Sequence, residues 1–265
     1  MNAPSATSQP VQKFASFGVT NAVFIVRSLR LSLRNTEALI MAIVLPVMLM
    51  LLFTYVMGGA IDPSGNFVDY VVPGIILLCA GFGSSSTAVD VAQDMSNGII
   101  DRFRTMPISS ISVVMGHVVA GVARNLLATG VVISVAFAVG FRPTASAWEW
   151  LGAIGVVALF ILAFTWLFAA IGLVTSSPAA ASAYGFALLF LPYLSSAFVP
   201  TSTMPSWLQG VANHQPITPI IETIRGLLTG NAQQNAWVAI GWCLAILSVA
   251  VAWSLFAFRR KTGRR

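Results

Sequence analysis

The chain has 265 residues, 57% of them hydrophobic and only 8% charged, with a formal net charge of +6. Soluble domains carry roughly 25% charged residues, so a soluble globular domain is excluded, and the placement of the positive charge argues against a nucleic-acid partner. Apolar runs of about 20 residues recur, each long enough to cross a ~30 Å hydrocarbon core as a helix. The expected fold is all-α and polytopic: six transmembrane helices embedded in the lipid bilayer.

Residues 1–18, "MNAPSATSQPVQKFASFG", are polar and lack the apolar stretch of a cleavable signal peptide. They read as a flexible cytoplasmic tail. Residues 19–36 follow as an amphipathic interfacial helix. Ala22, Ile25, Val26, Leu29 and Leu33 share one face, and Arg27, Arg30 and Arg34 share the other. Arginines so placed meet anionic lipid or a cytoplasmic partner.

Residues 37–258 make the six-span domain. The spans are expected at Ala38–Met57, Val71–Gln93, Ile111–Val139, Trp148–Val174, Ala180–Val199 and Ala236–Phe258. "TSSPA", Thr175 to Ala179, predicts a tight turn between the fourth and fifth. Residues 259–265 form a basic cytoplasmic tail. With the N-terminus inside, all 14 basic residues except Arg124, Arg142 and Arg225 lie on the cytoplasmic side. Both termini are then cytoplasmic, which demands an even number of crossings.

In the second span, "GFGSSSTA" sets small and hydroxyl side chains in a row, and Ser84, Ser85 and Ser86 either pack against neighbouring helices or line a pathway. In the third, His117 and Arg124 lie seven residues apart on nearly one face. An arginine at mid-membrane costs roughly 2.5–3.5 kcal/mol, and ionisable residues in spans face the bundle or a water-filled cavity. A translocation pathway and a purely packing role are both open for these residues. Asp90 stands near the cytoplasmic end of the second span, too shallow by residue count to meet Arg124, so the arginine has no expected partner.

Between the second and third spans, "GIIDRFRTMP" (Gly98 to Pro107) carries one acid and two arginines in apolar surroundings. Ile99, Ile100, Phe103 and Met106 recur at helical spacings, with Asp101, Arg102 and Arg104 between them. Gly98 permits a bend before this turn of helix and Pro107 ends it. Residues 94–107 therefore predict a short cytoplasmic helix with apolar knobs, either a docking element or an ordinary amphipathic loop.

Ahead of the last span, Pro200, Pro205, Pro216 and Pro219 break the chain, and residues 200–230 read as a re-entrant segment on the outer side. Trp207 suits an interfacial anchor, and Glu222 and Arg225, three apart, suit a local pair. His214 lacks a second ligand at metal-binding spacing. Cys79 and Cys243 sit in apolar runs as small hydrophobes, so no metal site is expected.

The loop resembles that of ABC-2 type transporter permeases, in particular the drug-resistance branch typified by daunorubicin/doxorubicin exporters. Asp94, Gly98, Asp101, Phe103 and Pro107 match that family's spacing, although glutamate commonly stands where this chain has Asp94. "DYVVPGI" (Asp69 to Ile75) and "HQPITPIIETIRGLLTG" (His214 to Gly230) are similar to the family's segments before its second and last spans. The resemblance implies that residues 94–107 form a coupling helix docking on a separate ABC ATPase subunit, present in two copies, which binds ATP and Mg. It further implies a second permease chain, as a homodimer or heterodimer, in the bacterial inner membrane, exporting an amphiphilic or lipophilic compound. This chain has no ATPase motif and no cofactor of its own: a P-loop requires a Gly-Lys pair, and the sequence has none. Two other classes compete. An ion-coupled secondary transporter would use carboxylates at mid-membrane. An intramembrane enzyme would need a nucleophile paired with a base, for which His117 and Ser84 to Ser86 are the candidates.

Overall fold

A computed structural model of the chain describes residues 26, 28–29, 36–62, 67–97, 111–230 and 236–262. The tail 1–18, Arg27, Arg30, Arg34, and the loop residues Gly98, Ile99, Ile100, Asp101, Arg102, Phe103, Arg104, Met106 and Pro107 lie outside the described residues, as do residues 263–265. The described residues are helical with short connections. The helices are α1 (Thr36–Leu51), α2 (Phe67–Ser96), α3 (Ile111–Val139), α4 (Ala147–Val174), α5 (Pro178–Leu188), α6 (Ser206–His214), α7 (Ile217–Thr229) and α8 (Ala236–Thr262). α1 runs on through a widened π-helical turn, Leu52–Met57, into Gly58–Ile61.

Four expected spans coincide closely with α2, α3, α4 and α8, and the first with α1 and its extension. The fifth does not. Among the described residues five helices are long and apolar enough to cross a membrane, and the stretch expected as Ala180–Val199 is not one of them. Its helix α5 has 11 residues, about 16 Å at 1.5 Å per residue, and gives way to a 3₁₀ turn at Leu191–Leu194. Pro192 is the cause: it has no N–H to continue the ladder and its ring clashes with the preceding turn. The Ser195 hydroxyl then bonds the Pro192 carbonyl at 2.5 Å, fixing the chain's departure from helix.

Local chemistry accounts for the remaining ends. α4 opens on a capping box in which the Ser146 hydroxyl accepts from the Glu149 N–H while Glu149 Oε2 accepts from the Ser146 N–H at 2.6 Å. The turn expected at "TSSPA" is present: Ser177 caps α5 and Pro178 occupies its first turn. α3 ends at Gly140, whose φ of 118° is closed to residues with a Cβ, and Arg142 donates to the carbonyls of Phe137 and Phe141 beyond it.

α2 is the axis of the bundle, buried along most of its length, whereas α1 and its extension are largely exposed. α1, α3, α4 and α5 surround it, α7 tucks between α2 and α4, and α8 packs on the far side of α4. The outer helices turn Ile40, Met41, Met48, Val56, Trp237 and Phe256 outward, as a lipid-facing surface requires. Small residues set the closest approaches. A Cβ on Gly172 of α4 would lie 2.5 Å from the Ala88 carbonyl of α2, so only glycine lets these axes come so near. Gly172→Ala should therefore cost about 1–3 kcal/mol by overpacking. Gly241→Ala on α8, where a Cβ meets nothing within 4 Å, is the control, expected within about 0.5 kcal/mol of the parent in detergent unfolding.

Candidate functional site

The seam between α2 and α3 concentrates the polar side chains that composition makes scarce. At its end nearest residues 98–110, Asp94 Oδ2 stands 3.0 Å from His117 Nε2. One turn deeper, Asp90 Oδ2 accepts from both terminal nitrogens of Arg124 at 3.2 Å, and Arg124 also donates to Ser86 Oγ at 2.5 Å. Deeper still, Asn125 donates to the Ala80 carbonyl at 2.6 Å and to Ser84 Oγ at 2.9 Å, and Ser84 lies 3.2 Å from Thr165 of α4. Two acids four apart on α2 thus face two bases seven apart on α3, in antiparallel order.

The pairing of Asp90 with Arg124 corrects the expectation that the aspartate is too shallow. Residue counting fixes the level of Cα, not of the guanidinium. Side chains on a helix tilt toward its N-terminus, and the N-terminus of α3 lies beside the C-terminal end of α2. Arg124 therefore reaches back along α3 to the level of Asp90. Four residues on α2 rise about 6 Å and seven on α3 about 10 Å, and the long arginine side chain spans the difference. Arg124 is 4% exposed, and its Nε has no partner among the described residues.

The serines divide. Ser84 is fully buried and bonded to α3 and α4, and a Cβ on the neighbouring Gly83 would collide with Asn125, so this part of "GFGSSSTA" serves packing. Ser85 and Ser86 instead line a cavity of about 340 Å³ between α1, α2 and α5, together with Asp90. Its walls come from Leu45 of α1, Phe82 of α2 and Phe186 of α5. His117 bonds Asp94, while the hydroxyls of Ser84, Ser85 and Ser86 donate to backbone carbonyls one turn earlier. No serine–histidine pair of the kind an intramembrane enzyme needs is formed among these residues.

Asp94, expected in the cytoplasmic loop, lies in the last turn of α2 and joins the seam. Sequence reasoning named Asp90 but set it aside as the partner of Arg124, and it missed Asn125 and Thr165. The signal for the first was present: acids at i and i+4 on one span and bases at i and i+7 on the next, joined by a short loop, can meet only in reversed order.

A second polar centre lies at the other end of α2. Arg225 Nη1 donates to Glu222 Oε1 at 2.6 Å, as the spacing predicts. Its Nε and Nη2 also reach the Tyr70 carbonyl at 3.1 and 3.0 Å, and Nη2 the Ser196 carbonyl at 2.8 Å. The guanidinium carbon lies 3.8 Å from the centre of the Tyr70 ring, and the Tyr70 hydroxyl donates to the Ser196 carbonyl at 3.0 Å. The sequence "DYVVPGI" explains part of this. Pro73 cannot donate to the carbonyl of Asp69, and Arg225 takes the next carbonyl, that of Tyr70.

The ABC-2 type transporter family model matches residues 21–229, spanning the seam, the loop and the segment through α7. The chain is 29% identical over 216 residues to "Daunorubicin resistance ABC transporter permease protein DrrB1" of Streptomyces coeruleorubidus, covering 80% of this chain and 76% of that protein. It is 25% identical over 230 residues to "Probable doxorubicin resistance ABC transporter permease protein DrrC" of Mycobacterium tuberculosis, covering 86% and 83%. It is also 23% identical over 203 residues to "ABC transporter G family member 20" of Dictyostelium discoideum, with 72% of this chain but only 27% of that protein covered.

Proposed function

The chain belongs to the ABC-2 type transporter family, and from that premise we propose that it is the membrane permease of an ATP-driven exporter of an amphiphilic or lipophilic compound. The observation that carries the reading is the unbroken family match over residues 21–229, with relatives named for daunorubicin and doxorubicin resistance. The energy comes from a separate ABC ATPase, in two copies that bind ATP and Mg. A second permease chain, identical or related, completes the pathway in a bacterial inner membrane. The chain crosses six times, with α5 and the Leu191–Leu194 turn as a broken fifth crossing, both termini cytoplasmic, and residues 200–230 re-entrant from the outer side.

In this reading residues 98–107 dock on the ATPase with Phe103 as the apolar anchor, since buried aromatic side chains carry most of the energy of such contacts. Asp101, Arg102 and Arg104 set its register by charge. The geometry of the seam supports the mechanism. α2 and α3 are the two helices that leave this segment, and the Asp94–His117 and Asp90–Arg124 pairs bolt them together one and two turns away. A push on the segment then moves both helices as one body, and with them the cavity wall that Asp90 and Ser86 form.

Phe103→Ala is expected to reduce ATP-driven accumulation of a fluorescent amphiphile in inside-out vesicles to background, with the chain still inserted and ATPase no longer co-purifying. A docking anchor is worth at least about 2 kcal/mol, or roughly thirtyfold in occupancy. Normal transport by the variant would reject the docking role. Accumulation that ignores ATP and follows an imposed ion gradient would replace the exporter with a secondary transporter.

A further inference from the structure

The cavity between α1, α2 and α5 has a one-sided chemistry. Its floor is a stripe of α2, Phe82, Ser85, Ser86, Val89 and Asp90, at alternating spacings of three and one that put all five on one helical face. The polar groups on that stripe turn acceptors toward the cavity. Ser85 Oγ donates to the Phe82 carbonyl and Ser86 Oγ to the Gly83 carbonyl, both at 2.8 Å, so each offers only lone pairs, and Ser86 already gives one of its two to Arg124 Nη2 at 2.5 Å. Asp90 is an acceptor. Arg124 takes only its Oδ2, leaving Oδ1 without a partner among the described residues. None of the described residues lining the cavity is basic; the Arg124 guanidinium lies behind the floor, with its donors turned to Asp90 Oδ2 and Ser86 Oγ.

Such a floor discriminates among head groups. A carboxylate or phosphate would face the Asp90 carboxylate and the lone pairs of two serines, with the Ser182 hydroxyl of α5 as the one side-chain donor among the described lining residues, and a buried acceptor without a donor is costly. A hydroxyl supplies one donor for three acceptors. A primary ammonium supplies three donors and the opposite charge. At about 340 Å³ the cavity is at the small end of ligand pockets, room for a head group and the first part of a body. The rest would leave between Met41 of α1 and Phe186 of α5, wall residues 65% and 60% exposed, so the cavity opens to the surface there.

We propose that this cavity binds the ammonium head of an amphiphile, with Asp90 Oδ1, Ser85 Oγ and Ser86 Oγ as its three acceptors. That the amphiphile is cargo rests on the export reading above; the head-group selectivity does not.

The test uses three probes with the same diazirine-bearing alkyl chain and an ammonium, hydroxyl or carboxylate head. The full chain is photolabelled in phosphatidylcholine nanodiscs without ATP, and the labelled peptides are mapped. The ammonium probe is expected to label α1 and α5 beside the cavity with half-saturation about tenfold lower than the hydroxyl probe, the worth of one charge-assisted hydrogen bond. The carboxylate probe should label last. Asp90→Asn removes the ammonium preference. Ser85→Ala, which leaves Arg124 and its partners intact, weakens it severalfold and decides the matter if the aspartate variant does not fold. Equal half-saturation for the three heads, or a preference that survives Ser85→Ala unchanged, overturns the assignment. Nanodiscs containing phosphatidylethanolamine separate the sources of the ammonium: competition by that lipid keeps the acceptor site and makes its occupant a bilayer lipid, and absence of competition leaves a soluble amine as occupant. An intact preference in a chain whose ATP-driven transport fails rejects the export reading alone, and a lost preference with transport retained rejects the site alone.

Discussion

Asp90→Ala is expected to destabilise the folded chain by about 2–3 kcal/mol, because it leaves the guanidinium of Arg124 buried without its counter-charge, while the 34% exposure of the Asp90 side chain keeps the loss below that of a fully buried pair. Arg124 is 4% exposed and its Nε has no partner among the described residues, so the loss of Asp90 leaves it only the Ser86 hydroxyl among them. Arg124→Leu removes the charge rather than stranding it, and should cost less. The double variant Asp90→Ala, Arg124→Leu should recover most of the loss of the single aspartate variant, since two apolar residues suit an apolar seam. A double-mutant cycle in unfolding from mild micelles reads this directly. A coupling near 0.6 kcal/mol, the average for hydrogen bonds between membrane helices, would reduce the pair to an ordinary contact and remove it as the bolt of the α2–α3 hairpin. Transport measured on the double variant then separates roles. A folded but uncoupled chain means that the charges transmit motion. A folded and active chain means that they only hold it still.

The part of this molecule that length and hydropathy govern is legible in the sequence alone. Ile111–Val139 is both the expected span and the observed helix, and α4 and α8 begin within a residue of expectation, because long apolar runs leave the backbone no alternative to helix. Legibility fails where one residue overrides the run. Pro192 sits among Leu188, Leu189, Leu191 and Leu194, so the hydropathy continues through it while the hydrogen-bond ladder does not. A proline in that position carried more information than the leucines around it. The π-helical turn at Leu52–Met57 left no comparable mark on the sequence; its widened backbone accompanies the stacking of Phe53 on Phe198, with centroids 4.2 Å apart, a contact 145 positions away in the chain.

The polar seam was half legible for a related reason. His117, Arg124 and the serines stand out against apolar neighbours, so the residues were found. Their partners were not, because a partner depends on how far a side chain reaches and in which direction, and residue count carries neither. Asn125 and Thr165 were missed because an uncharged polar residue in a long span attracts little notice until it bonds across helices, as Asn125 does to Ser84. The local pair of Glu222 and Arg225 was readable from spacing alone. Its incorporation into a larger centre was not, since Tyr70 lies 155 residues away from Arg225.

That centre yields the other large effect. Arg225→Met is expected to cost at least about 3 kcal/mol, because truncation strands the buried Glu222 carboxylate and takes a donor from the carbonyls of Tyr70 and Ser196, the latter keeping only the Tyr70 hydroxyl. Glu222 is 8% and Arg225 5% exposed, so water cannot replace what is lost. Arg225→Lys tests geometry against charge. Lysine keeps the positive end but concentrates its donors at one nitrogen, and it cannot reach Glu222, the Tyr70 carbonyl and the Ser196 carbonyl from one fixed fork while lying on the Tyr70 ring. The lysine variant should therefore recover less than half of the loss, and Glu222→Gln, which keeps an acceptor beside Arg225 but removes the charge, should be milder than either. Full rescue by lysine would mean that charge alone is needed there. The expected ranking has a further consequence, because Arg225 ties three parts of the chain at one point: α7, the start of α2, and the segment after α5 that carries Ser196. Loosening it should raise amide hydrogen exchange in all three together while the far end of α2, where Asp90 and Asp94 sit, stays protected. Exchange confined to α7 would instead make Arg225 a local support of its own helix.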